Sequence, residues 1–197
     1  MDRAREHATY ASMRMIALFH NIALAAFLCL APLSAVAQAQ SRVDELLDRL
    51  AEPDLRNWQV VEDEIVMLWA RSGSATADYL LERGRAALAD GDFSAAYNHL
   101  TALTDHAPEF AEGWNARATL FFEMQHFGPS IADIGRALAL EPRHFGALTG
   151  LGFMLEDMGE LDHALAAFQA AQAIHPHREE INEAVARVSR ALDGAAL

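Results

Sequence analysis

The residue types that do chemistry are few in this chain and rarely arranged to do it together. His175-Pro176-His177 is the one compact pair of metal-ligand side chains, and His144 ends the preceding stretch in a similar place. A stable transition-metal site needs three or four converging ligands. Two imidazoles beside a proline on a loop therefore predict solvent-exposed histidines, with no metal. His99, His106, His126 and His163 are scattered and read as ordinary polar positions. Glu156-Asp157 and Asp162 supply carboxylates, but adjacent residues on a helix do not face one another, so they predict a solvated face. The chain has no Gly-rich phosphate loop, no metalloprotease helix motif and no GxSxG turn. Nothing assembles a nucleophile, a base and an oxyanion site. The expectation is a protein that is not an enzyme and uses no cofactor.

Charge narrows the partners. All 15 basic residues are arginine, and the formal net charge is −13. Binding nucleic acid needs clustered cations to displace counterions, so a nucleic-acid partner is not expected. Cys29 is the only cysteine and lies in an apolar run centred on residues 22–30. Arg14 precedes that run, and Pro32 and small residues follow it, which is the layout of a secretory signal peptide. Ala35-Val36-Ala37 and Ala37-Gln38-Ala39 both fit the small-x-small cleavage rule. Residues 1–39 are thus expected to be an N-terminal extension and signal peptide cleaved near Ala37 or Ala39, which would place the protein in the periplasm or outside the cell. The alternative is an uncleaved N-terminal membrane anchor, but His20 and Asn21 interrupt a stretch already short of the ~20 apolar residues a spanning helix needs.

The elements are organised by a period. Pro108, Pro142 and Pro176 stand 34 residues apart. Before each proline come a helix, a turn and a second helix. The turns are Asp90-Gly91-Asp92, Gln125-His126-Phe127-Gly128 and Met158-Gly159-Glu160. Asp92 is placed to cap a second helix and Pro129 suits a first helical turn. The spaced prolines end each second helix because they lack an N–H and clash with the preceding turn. Abundant alanine and leucine favour helix throughout.

The segment from Ala77 to Arg178 resembles three tandem tetratricopeptide repeats, 77–110, 111–144 and 145–178. The first repeat carries Leu80, Gly84, Gly91, Phe93, Ala96, Leu100 and Pro108. Trp114, Ala118, Phe121, Phe127, Ile134, Ala137 and Pro142 mark the second, and Leu148, Leu151, Gly152, Leu155, Gly159, Leu161, Ala164, Phe168, Ala171 and Pro176 the third. Gln125 stands where the family has a turn glycine, Ser130 where it has alanine, and Arg83 and Arg117 where leucine is usual. The resemblance implies an all-α, right-handed α-solenoid in which most pattern residues, Trp114, Phe121 and Phe168 among them, are core. Small residues let paired helices approach and large ones fill the gaps between neighbours.

A solenoid must cover its ends. Ile181, Val185, Val188 and Leu192 recur on one face of 179–193, which predicts a C-terminal capping helix closed by Gly194. At the other end, Val43, Leu46, Leu47 and Leu50, and then Leu55, Trp58, Val61, Ile65 and Leu68, predict a helical hairpin over 41–76 that caps the first repeat. Trp58 and Trp69 lie eleven residues apart, so they share a side, packing on that repeat or, if exposed, meeting a partner.

The resemblance further implies that the first helix of each repeat lines a concave groove. Its partner-binding positions here are Arg85, Asn115, Thr119, Phe122, Thr149 and Phe153, alongside Leu81, Leu88 and Glu156. Phe122 and Phe153 are equally placed to be buried between repeats. A clamp for a terminal carboxylate needs several lysine, arginine and asparagine residues, and only Arg85 and Asn115 compare, so chaperone-tail binding is not supported. Glu123, Glu156 and Asp157 tilt the groove towards neutral or basic peptides. The function expected is an exported scaffold that holds a protein or peptide. The alternative is a homo-oligomeric structural component of a cell-envelope complex, built through one stack end or the Trp58–Trp69 helix.

Overall fold

A computed structural model describes residues 38 and 40–195. The leader read at residues 1–39 therefore lies almost wholly outside the described residues. From Val43 onward the chain forms one compact unit. Its elements are all helical among the described residues: α1 through 43–50, α2 (Trp58–Trp69), α3 (Ala75–Ala89), α4 (Phe93–His106), α5 (Ala111–Glu123), α6 (Phe127–Leu140), α7 (Phe145–Asp157), α8 (Leu161–Ile174) and α9 (Glu179–Ala195). None of these helices is long and apolar enough to cross a membrane.

The three hairpins are α3–α4, α5–α6 and α7–α8, each packed on the next, with α9 against α8. The first helices, α3, α5 and α7, also touch one another in sequence, which puts them on the inner side of the stack. Local chemistry sets the boundaries. Ser74 and Asp92 cap α3 and α4 by accepting hydrogen bonds from the Ala77 and Ala95 N–H groups. Gly91 and Gly159 turn the chain at φ +74° and +79°. Gln125 makes the same turn at φ 59°, a left-handed conformation that an L side chain adopts only at a cost.

Helix crossings need small residues. A Cβ on Gly152 would lie 2.5 Å from the Phe168 ring, and one on Gly84 would strike Leu100. Ser130, in place of the family's alanine, is buried and donates its hydroxyl to the Ala118 carbonyl at 2.6 Å. Arg117, in place of leucine, lays its guanidinium fork on Asp133 at 2.7 and 2.9 Å and donates a third hydrogen bond to Thr104 Oγ1 at 2.7 Å. Buried carboxylate and hydroxyl thus satisfy a cation where the pattern expects an alkyl chain. Phe168 is fully buried, and Trp114 is half-buried with Arg117 and Arg136 over its ring.

The C-terminal helix packs on α8 and buries Ile181, Ala184 and Val188, while Val185 and Leu192 of the expected face are half-buried. It runs to Ala195, past Gly194. Glu156 is not simply solvated: Arg187 of α9 grips both its oxygens at 2.7 Å.

The α1–α2 hairpin departs from expectation. Its apolar side, Val43, Leu46, Leu47, Leu50, Val61 and Ile65, forms one core cluster with Phe145, the first residue of α7, and Ile174, the last of α8. Trp69 stacks on His144 at 4.2 Å, while Trp58 meets His175 edge-on at 5.3 Å and stacks on His177 at 6.0 Å. The two tryptophans do share a side, but it is the edge formed by the loops between repeats, and not the first repeat. Only Ala70, just beyond α2, joins the core of that repeat. His175 and His177, expected in solvent, are respectively 0% exposed and half-buried because the hairpin covers them, and His144 is 3% exposed.

Candidate functional site

The inner face of α3 and α5 holds a pocket of about 130 Å³ lined by Arg85, Leu88, Glu112, Asn115, Ala116 and Thr119. Two helices build it. Arg85 and Leu88 are three residues apart on α3, while Glu112, Asn115 and Thr119 follow at spacings of three and four on α5, so each set shares a helix face.

Glu112 forms the floor, with its side chain only 6% exposed. Arg85 donates to its Oε1, and the Asn115 amide to both oxygens at 3.2 and 3.3 Å. His144 supplies the remaining partner through Nε2, 2.7 Å from Glu112 Oε2. The His144 ring is oriented from its other nitrogen: Nδ1 accepts the Ala147 N–H at 3.1 Å, capping α7. Nδ1 therefore carries no proton in this arrangement, and Nε2–H donates to the carboxylate. Burial alone would push the Glu112 carboxyl up. The hydrogen bond from His144, the charge of Arg85 and the Asn115 amide outweigh it and hold the group below its ordinary value.

The site can present hydrogen bonds and one guanidinium to a ligand. Arg85 is 41% exposed and uses only one nitrogen on Glu112. The Asn115 carbonyl oxygen has no protein partner among the described residues. Thr119 is exposed, its hydroxyl donated to the Asn115 main-chain carbonyl.

Of the six expected binding residues, the structure gathers Arg85, Asn115 and Thr119 in this pocket. The other three lie elsewhere. Phe122 is half-buried against Phe127, their centroids 6.0 Å apart, and Phe153 is half-buried against Phe168 at 5.0 Å. Thr149 is 6% exposed and donates its hydroxyl to the Phe145 carbonyl. Glu112 was not among the expected residues, and His144 was named only beside the metal-ligand candidates. Helical spacing from Asn115 and Thr119 was enough to find Glu112, whereas nothing local marks His144, 32 residues further on. Among the described residues, no group of three or more His, Cys, Asp or Glu side chains is placed to hold a metal ion.

No protein-family model matches the chain. A TPR repeat-containing protein of Rhizobium etli is 33% identical over 162 residues, covering 82% of this chain and 79% of the relative. Among solved structures, the first TPR of Spaghetti (RPAP3) bound to an HSP90 peptide superposes with a TM-score of 0.59 at 22% identity, covering 61% of this chain and 95% of that one. The TPR2B domain of yeast Sti1, in its pHsp70 complex, gives 0.55 at 24% identity, over 59% and 98%. With three helix hairpins in phase and a relative aligned over most of both chains, this protein belongs to the tetratricopeptide-repeat family.

Proposed function

We propose that the protein is an exported, non-catalytic scaffold that holds an extended peptide segment of a partner protein on the inner face of α3 and α5. The observation that carries the reading is the pocket, where a half-exposed guanidinium and an unpartnered amide carbonyl stand side by side over a satisfied carboxylate. Asn115 can accept a main-chain N–H while Arg85 donates to a neighbouring carbonyl, which fits an extended backbone. Leu88 and Ala116 supply the apolar wall. Glu112 disfavours an acidic side chain at the floor and so favours neutral or basic segments. A structural neighbour solved with an HSP90 peptide, and another solved in a pHsp70 complex, support peptide holding as the class of activity. The leader-like pattern at 1–39 supports export.

Self-association through Trp58 and Trp69 gains no support, since both rings are seated on the protein's own loops. A photo-crosslinker at Thr119, used in intact cells, tests the reading. The expected result is a discrete crosslinked partner in the envelope fraction that is lost with Asn115→Ala and Arg85→Glu. A pattern of crosslinks unchanged by both substitutions sinks it.

A further inference from the structure

The α1–α2 hairpin docks through an interface with an unusual polar composition. Of the five buried side-chain polar atoms without a hydrogen-bond partner among the described residues, four lie there: Trp69 Nε1, both ring nitrogens of His175, and His177 Nε2. Unpaired buried donors and acceptors cost desolvation that no contact returns. The hairpin is held in spite of them by apolar burial, ring contacts and the Asp48–Arg143 and Glu62–Arg178 ion pairs.

His175 is the centre of this cluster. It is fully buried, with Trp58 edge-on at 5.3 Å, Phe145 edge-on at 5.1 Å and His177 at 6.0 Å. The charged and titratable groups around it are Glu62 from α2, and His177 and Arg178 from the loop that leads into α9. Glu180 of α9 lies behind Arg178 at 3.8 Å. Glu62 Oε2 is 3.2 Å from His175 Nε2, yet the pair is not aligned as a hydrogen bond, and Glu62 Oε1 already accepts twice from Arg178. The one carboxylate facing His175 is thus already claimed by a guanidinium.

We propose that the α1–α2 hairpin is a strap that lifts from the inter-repeat loops in mild acid, when His175 takes up a proton. A cation at that position is shut off from solvent beside two basic neighbours, and the carboxylate near it is already bound to Arg178. Lifting α2 restores its solvation by giving up the Trp58 and Glu62 contacts, while His177 and Arg178, on its own loop, stay beside it. Burial pushes the His175 imidazole below its ordinary 6.5, Glu62 opposes this, and Arg178 and His177 add to it. The sign follows from that direction. A histidine held low in the docked state binds its proton more readily once the strap is free, so docking is at full strength above pH 6.5 and weakens as pH falls through the lowered value. The Trp69 end has a different chemistry, because His144 there is fixed by the Ala147 N–H and Glu112. The strap is therefore hinged at Trp69 and released at Trp58.

Hydrogen exchange on the full chain between pH 7.5 and 5.5, corrected for intrinsic rates, reads the strap directly. Exchange across 58–65 is expected to rise by about tenfold per pH unit once His175 titrates, while α5 and α6 keep their protection. His175→Gln, if its circular dichroism matches the parent, is expected to leave strap exchange independent of pH over that range. A strap that still opens in His175→Gln overturns the proposal. If that variant does not fold, ring-proton NMR of the parent decides. Strap exchange that tracks the His175 titration upholds the idea, and titration of His175 with the strap still protected refutes it.

Discussion

The His144 imidazole lies flat beneath Trp69, their centroids 4.2 Å apart and their planes 13° from parallel, while its two nitrogens face Glu112 and the start of α7. One ring thus joins three elements: the strap, the third repeat and the pocket floor. Trp69→Ala removes the stacking surface and part of the core around Phe145. A loss of about 3 kcal/mol is expected in urea unfolding, the lower end for a truncated buried tryptophan because Trp69 is half-buried. Trp69→Phe should recover most of it.

The Arg117–Asp133 pair is expected to show the asymmetry of buried charges. Arg117→Leu restores the residue usual in the family but strands a carboxylate that is 7% exposed, so it should destabilise by about 3 kcal/mol. Arg117→Leu combined with Asp133→Ala should return close to the parent. A double-mutant cycle by chemical denaturation measures both, and a stable single variant would show the pair to be dispensable.

Glycines at crossings and glycines in the open should respond oppositely to alanine. Gly152→Ala places a Cβ 2.5 Å from Phe168, and a cost of about 1–3 kcal/mol is expected from the forced repacking. Gly135 lies mid-helix in α6, exposed and with nothing near its missing Cβ. Gly135→Ala should stabilise by up to about 1 kcal/mol. Thermal unfolding of the two variants compares them.

Gln125→Gly tests the one departure in the turns. At φ 59° a side chain is strained, and removing it should raise stability by roughly 0.5–1 kcal/mol, despite the added freedom of the unfolded chain. A fall in the melting temperature would show that the Gln125 side chain has a role that its backbone does not reveal.

Acid should expose Glu112 separately from His175. The carboxyl sits below its ordinary 4.5 when folded, so its contribution is complete above that pH and disappears as pH falls through the lowered value. Melting temperatures of the parent should decline in that range, and Glu112→Gln should be less stable at neutral pH but flatter below 4.5.

The repeats were legible because proline, glycine and small-residue positions act locally. Pro108, Pro142 and Pro176 end helices whatever surrounds them, and Gly152 is demanded by its partner Phe168 in the same hairpin. The hairpin over α1 and α2 was legible as amphipathic helices, and the eleven-residue spacing placed Trp58 and Trp69 on one side. Its destination was not, because an apolar stripe states that burial is needed without stating against what. The same limit hid part of the site's floor: Arg85, Glu112, Asn115 and Thr119 lie on helix faces that spacing defines, whereas His144 is brought in from the next repeat boundary.

Because α2 lies across the loops, it alters how the array holds together. Helix hairpins that touch only adjacent hairpins have energies that add along a line, and the ends of such arrays can fray alone. Here Trp58 grips the loop leaving the third repeat, Trp69 the loop entering it, and Ala70 leads straight into the core of the first. The line is tied back on itself like a belt through its buckle. The first and last hairpins are then expected to melt together, giving a single calorimetric transition where an open stack would unzip by degrees.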